Sequence, residues 1–357
     1  MRAATYNGRR DIRVEQVPDP KIESGDDVIV RITTSGICAS EVALYYRQGV
    51  EFVHLGTVLG HEYVGVVEEV GRDVRRIRKG DRVLGSPFPG CGVCPECRDK
   101  IPSRCRANGR AALGATLSGS HAEAMRVPHA DQTLERVPPD LSDDQVICVG
   151  DQFSATLYHA SLAGDVAGKP VAVLGLGLLG LVGVLALRTL GADPVIAVDL
   201  IPERLARAEE MGAAVIDARL ERVGRRMREL TGGRGVLFCL DTSGDEEALS
   251  LGIGGIRPGG TLVLAGTYVE DRIPIPTTAY WKNLRVFPGT AQTREWNRVA
   301  LHWISTGRID LAPFVTDTLS LDDAPGGFLR LDRSPLFGFT EDYNPVAESC
   351  LKVVLKP

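Results

Sequence analysis

Four cysteines fall within fifteen residues of the chain, at Cys91, Cys94, Cys97 and Cys105. Four thiolates at such short spacing can complete a tetrahedral zinc site, and a site without an open ligand position is structural rather than catalytic. An iron–sulfur cluster or a set of disulfides could use the same residues. The spacing favours zinc, which would fix a long loop that has no core of its own.

Cys38 and His61 form a second candidate metal site. Both residue types bind zinc, and His61 is followed directly by Glu62 at the start of an apolar run. Taken alone, a buried cysteine is usually inert core, and a single histidine is usually a hydrogen-bonded polar residue. Only together with other motifs do these residues predict a metal.

A glycine-rich turn follows the apolar run Val171–Leu174, in the order Gly175, Leu176, Gly177, Leu178, Leu179, Gly180. The pattern G-x-G-x-x-G between a strand and a helix allows a tight turn, close approach of a pyrophosphate and close helix–strand packing. The amides at the helix N-terminus then favour the phosphates. This segment therefore predicts a dinucleotide site, although a plain glycine turn is the alternative.

Asp199 ends the next strand, 24 residues after Gly175. A carboxylate at this place binds the ribose hydroxyls and repels a 2′-phosphate, which favours NAD over NADP. Arg204 is the counter-indication, because a nearby arginine can accommodate the phosphate of NADP. Gly266, just after the strand candidate at 261–265, completes the predicted cofactor contacts.

The chain divides into two kinds of pattern. Residues 1–150 contain short β-branched runs broken by glycine and proline, as in a compact barrel or sandwich. Beyond Asp151, strand candidates at 171–174, 194–199, 236–241 and 261–265 alternate with helix candidates at 178–190 and 202–211. Alternation of this kind predicts a parallel sheet. We expect two domains, a β-rich one over 1–150 completed by about 290–357, and an α/β one over 151–289.

Composition excludes several classes of protein. The formal net charge of the 357 residues is -5, so no basic field favours nucleic acid. No apolar run reaches the roughly 18 residues of a membrane span, and the N-terminus lacks the apolar stretch of a signal peptide. We therefore expect a cytoplasmic protein that binds neither nucleic acid nor membrane.

These motifs occur together in an order that resembles the medium-chain dehydrogenase/reductase family, in its zinc-containing alcohol dehydrogenase branch. The matching pieces are Gly36-Ile37-Cys38, Gly60-His61-Glu62, the four-cysteine loop, the glycine motif and Asp199. The resemblance spans most of the chain. It implies a GroES-like β-rich catalytic domain beside a Rossmann-type doubly wound parallel sheet, with two zinc ions per chain, one catalytic and one structural. It also implies hydride transfer between NAD and a small alcohol or carbonyl substrate.

By this resemblance Cys38 and His61 are ligands of the catalytic zinc, and Glu62 is an outer group or an alternate ligand. The third ligand is assigned to Asp151, which stands 24 residues before Gly175, although anchoring on Tyr158-His159 would select Gln152. Cys148 is the chemical competitor, and a helix N-cap is the structural alternative for Asp151.

Two further features of the catalytic segment follow from the same resemblance. Ser40 matches the hydroxyl of the family's proton relay, whose next group is often a histidine; here Ala43 stands nearby, so water, a ribose hydroxyl, Tyr45 or Tyr46 would finish the relay. Glu41 replaces the family's usual aspartate, which leaves the support of His61 open.

Other functions and the substrate stay open at this point. The four-cysteine loop alone would permit a zinc-ribbon nucleic-acid module, and the family includes metal-free reductases, polyol, sugar and aminocyclitol dehydrogenases, and members that use NADP. The substrate pocket is expected near Ser40, Tyr45, Phe52, Phe88 and Trp281, and the long segment Ser334–Ser349 could shape its entrance or be a neutral surface insertion. The family resemblance implies a homodimer or homotetramer, formed through edge strands of the nucleotide domain.

Overall fold

The computed structural model describes residues 1–43, 45, 53–268, 273, 275–332 and 349–357. The chain forms two compact units: a β-rich unit of Met1–Ser154 with Gln292–Pro357, and an α/β unit of Ala155–Ala291. Tyr46, Phe52 and almost all of the segment Ser334–Ser349 lie outside the described residues.

The elements follow one another in three groups. The first part of the β-rich unit contains β1 (Arg2–Tyr6), β2 (Ile12–Gln16), β3 (Val28–Ile37), α1 (Ala39–Glu41), β4 (Thr57–Val58), β5 (Glu62–Val70), β6 (Arg82–Gly85), α2 (Pro95–Arg98), β7 (Ala124–Val127), α3 (Ala130–Thr133), β8 (Leu134–Arg136) and α4 (Asp143–Val146). The α/β unit contains α5 (Ser154–Ser161), β9 (Val171–Leu174), α6 (Leu178–Thr189), β10 (Val195–Asp199), α7 (Pro202–Glu210), β11 (Ala214–Asp217), α8 (Val223–Glu229), β12 (Val236–Asp241), α9 (Glu246–Ile253), β13 (Ile256–Leu264), α10 (Thr277–Trp281) and β14 (Arg285–Pro288). The chain then returns with α11 (Arg294–Ser305), β15 (Val315–Ser320), α12 (Ala324–Leu331) and β16 (Lys352–Lys356).

The β-rich unit is built on a mainly antiparallel sheet in the order β15-β16-β3-β5-β6-β8, with β7 also paired to β3. Its two long central strands, β3 and β5, are rich in valine and isoleucine, which pack well on a pleated sheet. Gly36 lies opposite Glu62 in their register, and Val354 of β16 lies opposite Gly36 on the other side. The ends of three strands from distant parts of the chain therefore meet at one place.

The α/β unit contains a parallel sheet in the order β11-β10-β9-β12-β13-β14. Strand β9 is fully buried, as expected for a central strand covered on both faces. The strand order reverses between β9 and β12, and in sheets of this type ligands bind beyond the carboxyl ends of the strands at such a point. The glycine motif begins at the end of β9.

The predicted two-domain α/β fold class is confirmed. The late strand is longer than its candidate at 261–265: it runs over Ile256–Leu264, directly after a turn at Gly254 and Gly255. The register of β13 shifts there, between Val236 and Phe238 of its partner. Glycine and proline inside the strand are accommodated by this irregularity.

In the part of the chain that the structure describes, no helix has the length and apolarity to cross a membrane.

Candidate metal and nucleotide sites

Cys38, His61 and Asp151 converge in the β-rich unit. Cys38 directly follows β3 and His61 directly precedes β5, so the pairing of these strands brings them together. Asp151 lies in a π-helical turn, Val149–Phe153, a kind of turn that is frequent at functional sites. The Oδ2 atom of Asp151 is 3.8 Å from Cys38 Sγ and 3.7 Å from His61 Nε2. With Glu62, these residues each offer a donor atom within 4.8 Å of the others.

This donor set fits a zinc ion. Bonds of about 2.0–2.3 Å to a tetrahedral zinc place its ligand atoms roughly 3.3–3.8 Å apart, close to the separations from Asp151. The site also has a negative electrostatic potential. Burial would lower the pKa of His61, but the charges of Cys38 and Glu41 outweigh burial and raise this pKa well above its ordinary value. A cation is the natural complement of such a site.

Asp151 and its two competitors for the third ligand position occupy different places. Burial raises the pKa of the Cys148 thiol to about 12, and Cys148 is not part of the ligand cluster among the described residues. The Nε2 atom of Gln152 donates to Asp151 Oδ2 at 3.0 Å and lies 3.6 Å from Cys38 Sγ. Its amide nitrogen therefore contacts the cluster as a donor, whereas the Asp151 carboxylate joins it as an acceptor.

Ser40 lies beside the candidate metal site, with its hydroxyl donating to Cys38 Sγ at 3.1 Å. Tyr45, one of the groups considered for the next step of proton transfer, is 7% exposed. Burial raises the pKa of Tyr45 to about 12. Its phenol would therefore keep its proton at neutral pH, so Tyr45 can transmit a proton only by giving one up while accepting another.

The four-cysteine loop brings its thiols together as a separate group. The Sγ atoms of Cys91 and Cys97 are 4.0 Å apart, and those of Cys94 and Cys105 are 3.9 Å apart. Four thiolates at 2.3 Å from one zinc ion would be roughly 3.8 Å apart, whereas a disulfide needs about 2.05 Å. All eight cysteines are free thiols. Backbone N–H groups of Cys97 and Arg106 lower the pKa of Cys94 to about 7, which favours the thiolate.

The glycine motif requires glycine at two positions in the α/β unit. Gly175 has a φ of +80°, which disfavours any larger residue. A Cβ atom on Gly180 would lie 1.9 Å from the carbonyl oxygen of Gly175. Gly177 is the N-cap of α6, and Leu178 and Leu179 begin that helix. The backbone N–H groups of the first turn of α6, which have no partner within the helix, therefore lie at the carboxyl end of β9.

Asp199 lies at the carboxyl end of β10, the strand beside the glycine motif. Its Oδ2 atom accepts from the backbone N–H of Leu176 at 2.5 Å, and its Oδ1 atom accepts from Leu200 and Ile201 at 2.7 and 2.9 Å. The carboxylate is therefore fixed against the loop predicted to bind phosphate. Arg204 is 4% exposed in the first turn of α7.

Gly266 lies just after β13, which is separated from β9 by β12 in the sheet. It packs against Gly244: a Cβ atom at Gly266 would lie 2.3 Å from the amide nitrogen of Gly244. The site residues in the two units were predicted from separate motifs, and each set lies together within its own unit.

Comparison with known proteins decides the family. Residues 24–139 match the alcohol dehydrogenase GroES-like domain, and residues 179–306 match the zinc-binding dehydrogenase domain. A protein of Mycobacterium tuberculosis described as a probable zinc-binding alcohol dehydrogenase is 33% identical over 332 residues, which are 92% of this chain and 84% of that protein. The chain belongs to the zinc-containing alcohol dehydrogenase family.

Solved structures agree with this assignment. The alcohol dehydrogenase TADH from Thermus sp. ATN1 has a TM-score of 0.90 and 32% identity, and the match covers 100% of this chain and 99% of that one. The 2R,3R-butanediol dehydrogenase from Bacillus subtilis has a TM-score of 0.83 and 27% identity, with 100% and 99% coverage. The protein is thus an oxidoreductase of the medium-chain dehydrogenase type, as its motifs predicted.

Glu41 has a position in this member of the family that the sequence left open. It is fully buried, and its Oε1 atom accepts from Gly60 N at 2.8 Å while Oε2 accepts from Cys38 N at 3.0 Å. Burial would raise the pKa of Glu41, but the charges of His121 and His61 lower it to about 2. Glu41 therefore stays ionised and joins the two segments that carry Cys38 and His61.

His121 is a residue of this site that sequence reasoning missed. It is fully buried, its Nε2 atom lies 3.3 Å from Glu41 Oε2, and its Nδ1 atom lies 2.7 Å from Ser35 Oγ. No motif surrounds His121, and it is sixty residues from His61 in sequence. The one feature of the sequence that could have pointed to His121 was its residue type, because a histidine in an apolar β-rich region needs a polar partner.

Asp241 in the α/β unit was also missed. It ends β12, beside the glycine motif, and is fully buried, with Oδ1 accepting from Ser243 Oγ at 2.6 Å and Oδ2 accepting from the Tyr268 hydroxyl at 2.5 Å. Burial raises the pKa of Asp241 above its ordinary value. Its place at the carboxyl end of a predicted strand was the signal that could have found it.

Proposed function

We propose that this protein is an NAD-linked alcohol dehydrogenase whose catalytic zinc is held by Cys38, His61 and Asp151. The observation that carries the proposal is the convergence of these three donors beside the Ser40 hydroxyl. One thiolate, one imidazole and one carboxylate suit zinc, and three protein ligands leave a fourth position for substrate.

Zinc in this place supplies Lewis-acid polarisation of the substrate oxygen, which lowers the pKa of the substrate hydroxyl. Ser40 accepts the hydroxyl proton of the alcohol and passes it towards solvent, since its oxygen lies next to the ligand sulfur. NAD held at the glycine motif would accept the hydride from the alcohol carbon, so that the alcohol would be oxidised to a carbonyl product.

Asp199 supports the choice of NAD. Its carboxylate is held by three backbone N–H groups at the carboxyl end of β10, so it has little freedom to turn away from a bound ribose. A 2′-phosphate, with about -1.5 to -2 charges, would be repelled by this fixed negative charge. Arg204 is buried in the first turn of α7, which argues against an arginine displayed for the phosphate of NADP.

The four-cysteine group supports a second zinc with a structural task. Its residues hold the segment around α2, and none of the four positions would remain for substrate. A zinc-ribbon module that binds nucleic acid has no support from the net charge of -5 or from the glycine motif.

A second copy of this chain is the proposed partner, in a homodimer or homotetramer. In the described residues the parallel sheet ends at β14, which pairs with β13 on one side. Phe287 on this strand is 36% exposed, and Tyr280 and Trp281 on α10 are 75% and 79% exposed. An unpaired edge strand with large apolar neighbours suits addition of a second sheet. Light scattering in solution would measure the mass of the assembly.

The central test combines metal analysis with turnover. We expect two zinc ions per chain, and NADH formation from one or more small alcohols or diols in a substrate panel. Cys38→Ser and His61→Ala should each lose one zinc and lower kcat/KM by about a thousandfold or more, equivalent to about 4 kcal/mol of transition-state stabilisation. NAD binding, followed by fluorescence, should change little. Full turnover in a variant shown to lack that zinc would refute the metal mechanism.

A further inference from the structure

Glu62 is a candidate ligand whose two carboxylate oxygens both contact neighbouring side chains. It is fully buried directly after His61, and it offers a carboxylate oxygen within 4.8 Å of the donor atoms of Cys38 and Asp151. By distance alone it could be a fourth ligand and would close the position that substrate needs. Both of its oxygens, however, already contact other side chains of this unit.

The two partners of Glu62 contact one carboxylate oxygen each. The Nζ atom of Lys352 contacts Oε2, and the Nε2 atom of Gln152 contacts Oε1. Lys352 itself is fully buried on the last strand, β16, and also donates to the carbonyl oxygen of Ile37 at 3.2 Å. A buried ammonium is costly unless it is paired, so the pairing of Lys352 with Glu62 is strongly favoured over any separated arrangement.

Gly36 makes room for this ion pair. A Cβ atom at this position would lie 2.5 Å from Lys352 Cε and 2.6 Å from Glu62 Oε2. The backbone of β3 thus passes so close to the pair that only glycine leaves it undisturbed. In the register of β3, Gly36 lies opposite Glu62 of β5 and opposite Val354 of β16, and Lys352 is two residues from Val354, on the same face of its strand.

The net charges of the metal site and of the Lys352–Glu62 pair favour keeping Glu62 out of the ligand set. A zinc ion with one thiolate, one carboxylate and a neutral histidine is uncharged overall, and Lys352 with Glu62 is also uncharged. Coordination by Glu62 would make the metal centre anionic and leave a buried ammonium without its partner. Loss of its partner is unfavourable for this ammonium, because Lys352 and Glu62 are both fully buried.

We propose that Lys352 is a positioning residue that keeps Glu62 out of the metal coordination sphere and thereby leaves the fourth ligand position open. The inference rests on the proposed metal site of Cys38, His61 and Asp151. Without the charge of Lys352, Glu62 becomes a ligand, the metal is held more tightly, and small ligands lose access to it.

The test uses the full-length protein loaded with cobalt(II) in place of zinc, and azide as the added ligand. Azide should alter the visible spectrum of the wild type, because the four-cysteine site has no open position and only the other site can respond. Lys352→Met has a similar length and no charge, and it should weaken azide binding about tenfold or more and slow removal of one cobalt ion by a chelator. Lys356→Met, on the same strand with contacts to Thr34 and Asp144, is the matched control and should behave as the wild type does.

The double variant Lys352→Met, Glu62→Gln separates the roles of the two residues. It should regain the azide response, because an amide is a much poorer zinc ligand than a carboxylate. If Lys352→Met does not fold, Gly36→Ala displaces the same pair and should give the same weakening of azide binding. A Lys352→Met protein that binds azide as the wild type does would overturn the inference, while a wild type with no azide response would overturn the proposed metal site as well.

Discussion

The Oε1 atom of Glu41 lies 3.8 Å from Nδ1 of His61, on the opposite side of the ring from the nitrogen that faces Asp151. The same carboxylate accepts hydrogen bonds from the backbone of Cys38 and Gly60. Groups of this kind, behind a metal-binding histidine, fix the orientation of the ring and make it a better ligand. Glu41 is therefore placed to support His61, the point that the sequence left open.

Glu41→Gln should weaken zinc binding at the catalytic site about tenfold to a hundredfold, the range found for groups that support metal-binding histidines. The amide keeps the size of the side chain but loses the negative charge and one acceptor. Zinc affinity would be measured by competition with a chelator. Glu135→Gln, at a buried glutamate paired with Arg298 in the same unit, is the control; equal zinc loss in both variants would argue against a specific role.

Cys105→Ser should remove the second zinc and lower the Tm by about 5–10 °C, because metal binding contributes directly to the stability of such a loop. Cys105 is the fully buried member of the four-cysteine group. Elemental analysis and a thermal melt would measure both effects. Cys239→Ala is the control, since Cys239 is equally buried in the α/β unit but belongs to neither of the two candidate metal sites. Retention of two zinc ions by the Cys105 variant would contradict the assignment.

Asp199→Ala should shift the preference between NAD and NADP about tenfold or more towards NADP. The variant removes the fixed charge that repels a 2′-phosphate and a partner for the ribose hydroxyls. Dissociation constants for both nucleotides, measured by fluorescence, give the ratio directly. Asp217→Ala is a matched control, because Asp217 lies opposite Asp199 on the next strand and pairs with Arg219. A wild type that already prefers NADP would show that the cofactor assignment is wrong.

Asp143→Asn should destabilise the protein at pH 7 by about 1–3 kcal/mol, as expected for loss of a hydrogen-bonded charged group. Burial would raise the pKa of Asp143, but hydrogen bonds from Thr33 and Thr34 and the charge of Arg82 outweigh burial and lower it. A depressed carboxyl pKa stabilises the fold above the unfolded-state value of about 3.9, and this contribution is lost as the pH falls through the folded-state value.

The difference between the wild type and Asp143→Asn should therefore be full above about pH 5 and should shrink below about pH 4. Urea denaturation at a series of pH values would show this difference. Asp144→Asn, at the more exposed neighbour, should change stability little at any pH. A constant difference down to the lowest pH would show that Asp143 acts through its shape and not through its charge.

Much of this protein is determined locally in the chain. The glycine motif, the short cysteine spacing and the strands at 171–174 and 236–241 could be predicted because each depends on neighbouring residues and on periodicity. The family follows from the order of these motifs. The proposed roles of Cys38, His61, Asp151 and Asp199 in binding metal and NAD stay predictions, although the structure brings each group together.

Only the tertiary structure decided which residues support those motifs. Lys352 reaches Glu62 because β16 and β5 both pair with β3, and His121, from the segment before β7, reaches Glu41 eighty residues earlier in the chain. Long-range register depends on the whole sheet, since a shift by one residue turns every side chain to the other face. A lysine near the end of a chain looks like a solvated charge in the sequence, and its burial beside a glutamate is decided by the packing of three strands around Gly36.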